Sequence, residues 1–279
     1  MTTRISAIIF RIRAFVVYFC RAKTKYDVHS PLVFDFVCNV LEDHKRYYCF
    51  EEIEQHRSAL LHNDTSIAVT DYGAGSQVIS TNVRKVKDIA ASSLSKPYFC
   101  QLLFRLAHWL KPQNVVELGT SLGVSTLYLS KASRQSKITT IEGSHEIAGM
   151  ATQYFNLSRQ ENIQIVCGDF DSILKNTLAG IGVIQLFVID GNHRRDATLR
   201  NFAKCLEAAD SKAVFVFDDI YWSTEMAEAW AIIKSHPKTR LSIDIFQFGL
   251  VFLHDDIFEK QHFTLIDSKY KRWRTGLFA

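Results

Sequence analysis

The chain has 279 residues, of which 47% are apolar and 22% are charged, and only four are prolines. This composition predicts a folded chain with a hydrophobic core and argues against long disordered segments. The net charge of +4 is concentrated at the N-terminus, because the first 26 residues contain no acidic residue but contain Arg4, Arg11, Arg13, Arg21, Lys23 and Lys25. In the remainder acidic residues slightly outnumber basic ones, so we expect no nucleic-acid partner there.

The segment from Ile5 to Phe19 is apolar but is interrupted by Arg11 and Arg13. It is too short for a transmembrane helix, and the arginines make it a poor signal peptide. On a helical projection Arg4 and Arg11 share one side and Arg13 lies opposite, so the amphipathicity is imperfect. Two interpretations stay open: a helix packed on the domain or on a second subunit of a homo-oligomer, and peripheral contact of residues 1–26 with an anionic membrane surface.

Six cysteines are scattered along the chain, without a C-x-x-C pair. This pattern is typical of reduced thiols and predicts a cytoplasmic location rather than a disulfide framework or a zinc site.

The first 95 residues are predicted to form an N-terminal helical or lid region. Ser30-Pro31 is a helix start for a segment that reaches about Leu41, and residues 51–62 also have a helical pattern. The stretch D-Y-G-A-G-S at 71–76 follows the apolar run 67–69. It is interpreted as a structural turn, as a loop that closes over a substrate, or as a second nucleotide site.

Residues 96–279 are predicted to form one ligand-binding domain that begins with a helix at 97–110. Alternating patterns predict strands at 114–119, 137–142, 163–167, 183–189 and 213–217, separated by helices at 124–133, 145–159, 171–179, 195–209 and 223–235. Such alternation indicates βαβ units and an α/β fold with a doubly wound, mostly parallel sheet. Residues 240–253 read as two further strands, which form a terminal antiparallel pair.

The first strand of this domain ends at Glu117 and is followed by the turn Gly119-Thr120-Ser121-Leu122-Gly123. Gly119 allows a sharp turn, Gly123 allows a ligand to approach the backbone, and the next helix begins with free N–H groups. The turn lacks the G-x-G-x-x-G pattern of dinucleotide sites. It also reads as G-x-S-x-G, so a serine hydrolase with Ser121, Asp218 and His254 stays an alternative.

Acidic residues stand at the ends of the five predicted strands: Glu117, Glu142, Asp169, Asp190, and the pair Asp218 and Asp219. Open α/β sheets bind ligands at the carboxyl ends of their strands, and an acid after the second strand can accept both hydroxyls of a ribose. Any one of these acids is more often a helix cap, but five in sequence favour a binding site.

These motifs resemble the class I S-adenosylmethionine-dependent methyltransferases, which have a Rossmann-like fold. E-L-G-T-S-L-G resembles their first motif, I-E-G their ribose acid and G-D-F their adenine-side acid. The helix with Gln101, I-D-G-N-H at 189–193 and F-D-D at 217–219 are similar to the cation-dependent and sugar O-methyltransferases. The whole chain, with Y-D-V-H-S-P and D-Y-G-A-G-S, also resembles a bacterial branch of this class, for which the resemblance implies no substrate.

The resemblance implies a role for each matching residue. The methionine end of S-adenosylmethionine would be lined by Glu117, Gly119, Ser121 and Gly123. The ribose would be held at Glu142 and Gly143, and the adenine would lie beside Asp169 and Phe170. Asp190 would orient cofactor or acceptor.

A divalent cation such as Mg²⁺ would lower the pKa of an acceptor hydroxyl, and its expected ligands are Asp190, Asp218 and Asp219. Asp219 stands where the family has Asn, so it is open to interpretation as a ligand or as a helix cap. His193 is the candidate general base, because an unperturbed imidazole titrates near neutral pH. Tyr221 and Trp222 are read either as walls of an acceptor pocket or as core residues.

These expectations together predict a methyltransferase that acts on an oxygen of a small-molecule, sugar or lipid-linked acceptor. The alternative from another class is a non-catalytic cofactor-binding or interaction domain. No base-binding tetrapeptide of the nucleic-acid methyltransferases occurs in the sequence.

Overall fold

The computed structural model describes residues 2–71 and 80–274 of the chain. The chain divides into two compact units, one of residues 1–43 with 187–279 and the other of residues 44–186. Residues 72–76 of the D-Y-G-A-G-S stretch lie outside the described residues, so the three interpretations of that stretch stay predictions. The division at 95/96 into an N-terminal region and a ligand-binding domain likewise stays a prediction.

The described residues contain two β-sheets. Their strands are β1 Ser66–Asp71, β2 Ser80–Lys85, β3 Asn114–Leu118, β4 Lys137–Glu142, β5 Ile163–Cys167, β6 Ile184–Ile189, β7 Ala209–Phe217, β8 Leu241–Asp244, β9 Gly249–Phe252 and β10 Gln261–Thr264. The main sheet has the order β10-β8-β9-β7-β6-β3-β4-β5, and β1 pairs with β2 in a separate antiparallel sheet. The predicted α/β fold with a mostly parallel, Rossmann-like sheet is confirmed.

Pairing within the main sheet follows the predicted pattern at both ends. The strands β3, β4 and β5 are parallel, with Val115 opposite Ile138 and Ile138 opposite Ile163. The strand β9 is antiparallel to both β7 and β8, which agrees with the terminal antiparallel pair predicted at 240–253. The strand β10, which the sequence did not indicate, lies parallel to β8.

The helices of the described residues are α1 Thr2–Arg21, α2 Pro31–Phe36, α3 Cys49–Leu61, α4 Val86–Ser93, α5 Pro97–Leu110, α6 Val124–Ala132, α7 His145–Leu157, α8 Phe170–Ile181, α9 Arg195–Glu207 and α10 Thr224–Ser235. Local signals explain several ends. Proline occupies the first turn of α2 and α5, where no N–H is needed for an intrahelical bond. A π-helical turn, Val37–Leu41, continues α2.

The unit of residues 44–186 contains strands β1 to β5 and helices α3 to α8. The helix α6 packs against α3 and α5, and α7 contacts β1, β4 and β5. The strands β1 and β2 show that the region expected to be helical also contains a small sheet. The helix α4 was not predicted from the sequence either.

The other unit has an aromatic core around β7. Phe187 and Phe215 stack with ring centroids 4.5 Å apart, and Trp230 of α10 is 1% exposed. Packing leaves no room for a side chain at Gly249, because a Cβ there would lie 2.7 Å from the Trp230 ring. The end of α1 joins this unit through the Tyr18 hydroxyl, which donates to the Leu265 carbonyl at 2.5 Å.

Candidate functional site

The glycine turn after β3 has an unusual backbone. Gly119, Ser121 and Gly123 have φ angles of +100°, +48° and +82°. Glycine adopts such angles at no steric cost, but a serine in the left-handed region is strained and needs support from its surroundings. Ser121 has that support, because its N–H donates to Glu142 Oε2 at 2.8 Å and its hydroxyl contacts that of Ser93 at 2.8 Å.

Gly123 lacks a side chain at a point where α7 packs closely against the turn. A Cβ built there would lie 2.6 Å from Phe155 Cζ and 3.3 Å from Ala151 Cβ. The space that a side chain at this position would need is therefore filled by α7, and the close approach of a ligand to the Gly123 backbone stays a prediction. Gly123 lets α6 and α7 approach each other, and only its backbone is available to line a ligand.

Glu117, at the end of β3, is completely buried. Its Oε2 accepts hydrogen bonds from the hydroxyls of Thr126 at 2.5 Å and Thr140 at 2.7 Å. Among the described residues no group hydrogen-bonds Oε1. Burial raises the pKa of Glu117, and the hydroxyls of Thr126, Thr140 and Ser125 oppose that rise. A buried acceptor oxygen without a partner is costly and points to a donor supplied by a ligand.

Glu142, at the end of β4, is held by main-chain donors. Its Oε2 accepts from Ser121 N–H at 2.8 Å, and its Oε1 accepts from Ser144 N–H at 3.0 Å. Burial raises the pKa of Glu142, and hydrogen bonds from the main chain of Ser144, Ser121 and Gly143 oppose the rise. Each carboxylate oxygen can accept more than one hydrogen bond, so both retain capacity for a pair of ligand hydroxyls.

Asp169 is the N-cap of α8, where its Oδ2 accepts from Ser172 N–H at 3.2 Å. Asp169 therefore caps a helix, as expected of any single acid at a strand end, and the cap uses one of its two carboxylate oxygens. Phe170 is the first residue of the helix and is half-buried. Contact of these two residues with adenine stays a prediction.

Asp190 and His193 lie in the segment after β6. His193 Nε2 is 3.6 Å from Asp190 Oδ1, and their side chains are 34% and 20% exposed. Asn192 between them has a φ of +52°, which turns the chain so that residues three apart face each other. The distance is too long for a hydrogen bond but suits electrostatic stabilisation of a protonated imidazole.

Asp218 and Asp219 follow β7 and share one amide donor. Gln247 Nε2 donates to Asp218 Oδ1 at 2.8 Å and also to Asp219 Oδ1. The Asp219 N–H donates to Asp218 Oδ1 at 2.7 Å. Burial and the neighbouring Asp219 charge raise the pKa of Asp218 to about 6, against the opposing effects of Gln247 and His193.

The residues expected to bind a cation do not form a recognisable metal site among the described residues, and their role as ligands stays a prediction. Gln247 Nε2 donates to one oxygen of Asp218 and one of Asp219, so these two oxygens share an amide donor in this structure. Within residues 2–71 and 80–274, no group of three or more His, Cys, Asp or Glu side chains is arranged to hold a metal ion. Asp190 is thus not brought together with Asp218 and Asp219 as the predicted ligand set.

The hydrolase alternative lacks its hydrogen bonds. The Ser121 hydroxyl pairs with Ser93, Asp218 with Gln247 and Asp219, and His254 Nδ1 lies 3.8 Å from Asp256. A nucleophilic serine needs a base within hydrogen-bond reach and an acid behind that base. The described contacts of these groups show neither link.

Sequence reasoning placed Gln247 only within the predicted strand pair at 240–253. Nothing in the sequence around Gln247 indicates that its side chain contacts Asp218 and Asp219, which follow β7. It also missed the hydrogen bond that the Tyr221 hydroxyl donates to Asp244 Oδ2. Burial raises the pKa of this tyrosine. Trp222 is 49% exposed and is not a core residue.

Residues 116–220 match a family model described as "Methyltransferase domain". The match begins inside β3 and ends just after Asp218 and Asp219, so it covers the strand ends described above. The segment that carries these carboxylates is therefore similar to a methyltransferase domain. The resemblance to the class I S-adenosylmethionine-dependent methyltransferases is confirmed.

Solved structures of methyltransferases share the fold. The SAH-bound methyltransferase PaMTH1 of Podospora anserina is 14% identical, with 81% of this chain and 96% of that one covered and a TM-score of 0.57. The SAM complex of the O-methyltransferase TomG of Streptomyces achromogenes is 16% identical (78% and 93% covered, TM-score 0.54). The SAH complex of a Bacillus cereus O-methyltransferase is 15% identical (79% and 96%, 0.52). A search of curated proteins found no match.

Proposed function

We propose that this protein transfers the methyl group of S-adenosylmethionine to an oxygen of a small-molecule, sugar or lipid-linked acceptor. The observation that carries the proposal is Glu142, a carboxylate at a strand end that the N–H groups of Ser121 and Ser144 hold in place. O-methyltransferases among the structural neighbours, with SAM or SAH bound, support the choice of cofactor and of oxygen. The free cysteines support a cytoplasmic location.

In this proposal the residues of the glycine turn bind and orient the cofactor. Glu142 accepts the two ribose hydroxyls, and the partnerless Oε1 of Glu117 accepts from a donor at the methionine end of the cofactor. Asp169, through the oxygen not used for capping, and Phe170 hold the adenine. The bound cofactor supplies a methyl group on a positively charged sulfur.

The acceptor hydroxyl must lose its proton as its oxygen attacks the methyl carbon. His193 is the base in this proposal: Nε2 takes the proton, and Asp190 at 3.6 Å stabilises the imidazolium that forms. The proposal routes no step through a cation, because no group of three or more His, Cys, Asp or Glu side chains among the described residues is arranged to hold one.

The proposal is tested by titration calorimetry of the purified protein with S-adenosylmethionine and with its demethylated product. We expect dissociation constants in the micromolar range and the same values in EDTA and in Mg²⁺. If neither compound binds under any of these conditions, the protein is an interaction domain and the proposal is wrong. Binding that EDTA abolishes would contradict the cation-independent mechanism while leaving the cofactor assignment intact.

Catalysis is tested by a screen of hydroxyl acceptors that detects release of the demethylated product. With an acceptor in hand, His193→Ala should lower kcat about 100-fold and leave the affinity for S-adenosylmethionine unchanged. The matched control is His62→Ala, at an exposed helix end, which should leave kcat unchanged. An unchanged kcat in His193→Ala would remove His193 from the mechanism.

A further inference from the structure

The helix α1 has one side that packs on its own unit. Tyr18 and Ala22 are buried together with Ile266, and Phe246 packs against them. Further toward the N-terminus, the Arg11 guanidinium lies over the Trp222 ring at 4.3 Å from the centroid. These contacts determine which side of α1 faces solvent.

The solvent side of α1 carries a stripe of large aliphatic residues. All of its members are between 51% and 60% exposed: Ile5, Ile8, Ile9, Ile12 and Val16. Their spacing of three, four, seven and eleven residues from Ile5 places them on one side of an α-helix. We call these five residues the α1 stripe. Single exposed apolar side chains are ordinary, but a continuous stripe of this length indicates an interaction surface.

The stripe continues into an aromatic and basic segment near the C-terminus. Phe19, one turn beyond Val16, lies with its ring centroid 6.3 Å from that of Trp273. Trp273 is 59% exposed and stands between the exposed Arg272 and Arg274. Tryptophan is enriched at membrane–water interfaces because its large ring is apolar and its N–H is polar.

A basic residue borders the stripe on one side. At 100° per residue, Arg13 falls beside the stripe and is exposed, whereas Arg11 falls on the packed side with Tyr18 and Ala22. The imperfect amphipathicity of the sequence is therefore an apolar stripe with one positive border, because Arg11 belongs to the packed side. The helix contains no acidic residue. Thus nothing in α1 itself neutralises these charges.

We propose that the α1 stripe and Trp273 dock this protein on the surface of a bilayer that contains anionic phospholipid. Aliphatic side chains and an exposed tryptophan would enter the interface while the exposed Arg13 and Arg272 bind phosphate groups. A second copy is the poorer occupant, because a twofold helix pair would bring arginines together with no acid in α1 to pair with them. None of the described helices is long and apolar enough to cross a membrane.

The test is flotation of the full chain with vesicles of phosphatidylcholine alone and of phosphatidylcholine with 30% phosphatidylglycerol (a composition chosen on the order of natural anionic content). We expect the protein to float only with the anionic vesicles and to be released by salt at about 1 M. The double variant Ile8→Glu, Ile12→Glu should lose at least 10-fold in partitioning. Both positions are exposed, so its melting temperature should equal that of the wild type.

The matched control is Leu157→Glu, which replaces an aliphatic residue that is 81% exposed in the other unit and should float like the wild type. Equal flotation of the Ile8, Ile12 double variant and the wild type would overturn the proposal, as would absence of flotation with anionic vesicles. Light scattering provides a further test. A wild-type dimer that the double variant converts to a monomer, without vesicle binding by either, would assign the stripe to a second copy.

Discussion

The carboxylates at the ends of β3 and β4 and those that follow β7 are held by different kinds of groups. Glu142 accepts from main-chain N–H groups, and Glu117 from hydroxyls on a neighbouring strand and helix. Asp218 and Asp219 share the amide of one glutamine side chain. Main-chain donors move only when the turn itself changes, whereas a glutamine side chain can rotate. Glu142 is therefore fixed by the turn itself, whereas Asp218 and Asp219 can respond to protonation and to side-chain substitution.

The largest expected effect comes from breaking the preorganised turn. Gly123→Ala would place a methyl group 2.6 Å from Phe155 in a residue with φ of +82°, so we expect a loss of about 3 kcal/mol in the free energy of unfolding. Urea unfolding measures it. The control is Gly149→Ala within α7, where a Cβ meets no atom within 4 Å and helix propensity favours alanine. A loss below about 0.5 kcal/mol would show that α7 adjusts and that the turn is not rigid.

The second-largest expected effect is on cofactor binding at Glu142, which the same turn holds in place. Glu142→Ala should weaken binding of the demethylated product about 100-fold, because two charge-assisted hydrogen bonds to ribose are lost. Titration calorimetry measures the affinity. Glu161→Ala, an exposed acid in the same unit, should bind like the wild type. Unchanged affinity in Glu142→Ala would refute the ribose role.

The pH dependence of the free energy of unfolding tests the pair Asp218 and Asp219. The pKa of Asp218 is raised from 3.8 to about 6, so the stability that its protonated form contributes is complete below about pH 3.8 and is lost as pH rises through about 6. Relative to Asp218→Asn, the wild type should lose about 2 kcal/mol between pH 4 and pH 7. Denaturant unfolding of both proteins at several pH values measures the difference. A difference that does not vary with pH would show that Asp218 titrates normally.

The smallest expected effect sharpens the role of the shared amide. Gln247→Leu should cost about 1 kcal/mol at pH 7, because two carboxylates lose a donor, and less at pH 4, where Asp218 is largely protonated. Urea unfolding at both pH values measures it. Gln164→Leu on the exposed side of β5 is the control. An equal cost for Gln247→Leu at both pH values would mean that Gln247 acts through packing and not through the charges.

Local patterns in the sequence were sufficient for most of the fold. The helix predicted at 97–110 is α5 with the same ends, and the strand predicted at 137–142 is β4. Both results depend on signals within a few residues, namely a proline at a helix start and runs of β-branched residues in a buried strand. The strand β10 and helix α4 were missed because neither has a strong local pattern, and β10 exists through its pairing with β8.

By itself, the sequence determined that acids stand at the strand ends, because strand length and chain order place them there without reference to distant residues. Only the tertiary structure decided what surrounds them. Phe155 fills the space beside Gly123, and Gln247 reaches carboxylates 28 and 29 residues earlier in the chain. The same holds for α1, where packing of Tyr18 and Ala22 decides which of its apolar sides stays exposed. Such contacts join residues far apart in the chain, and no local period or spacing encodes them.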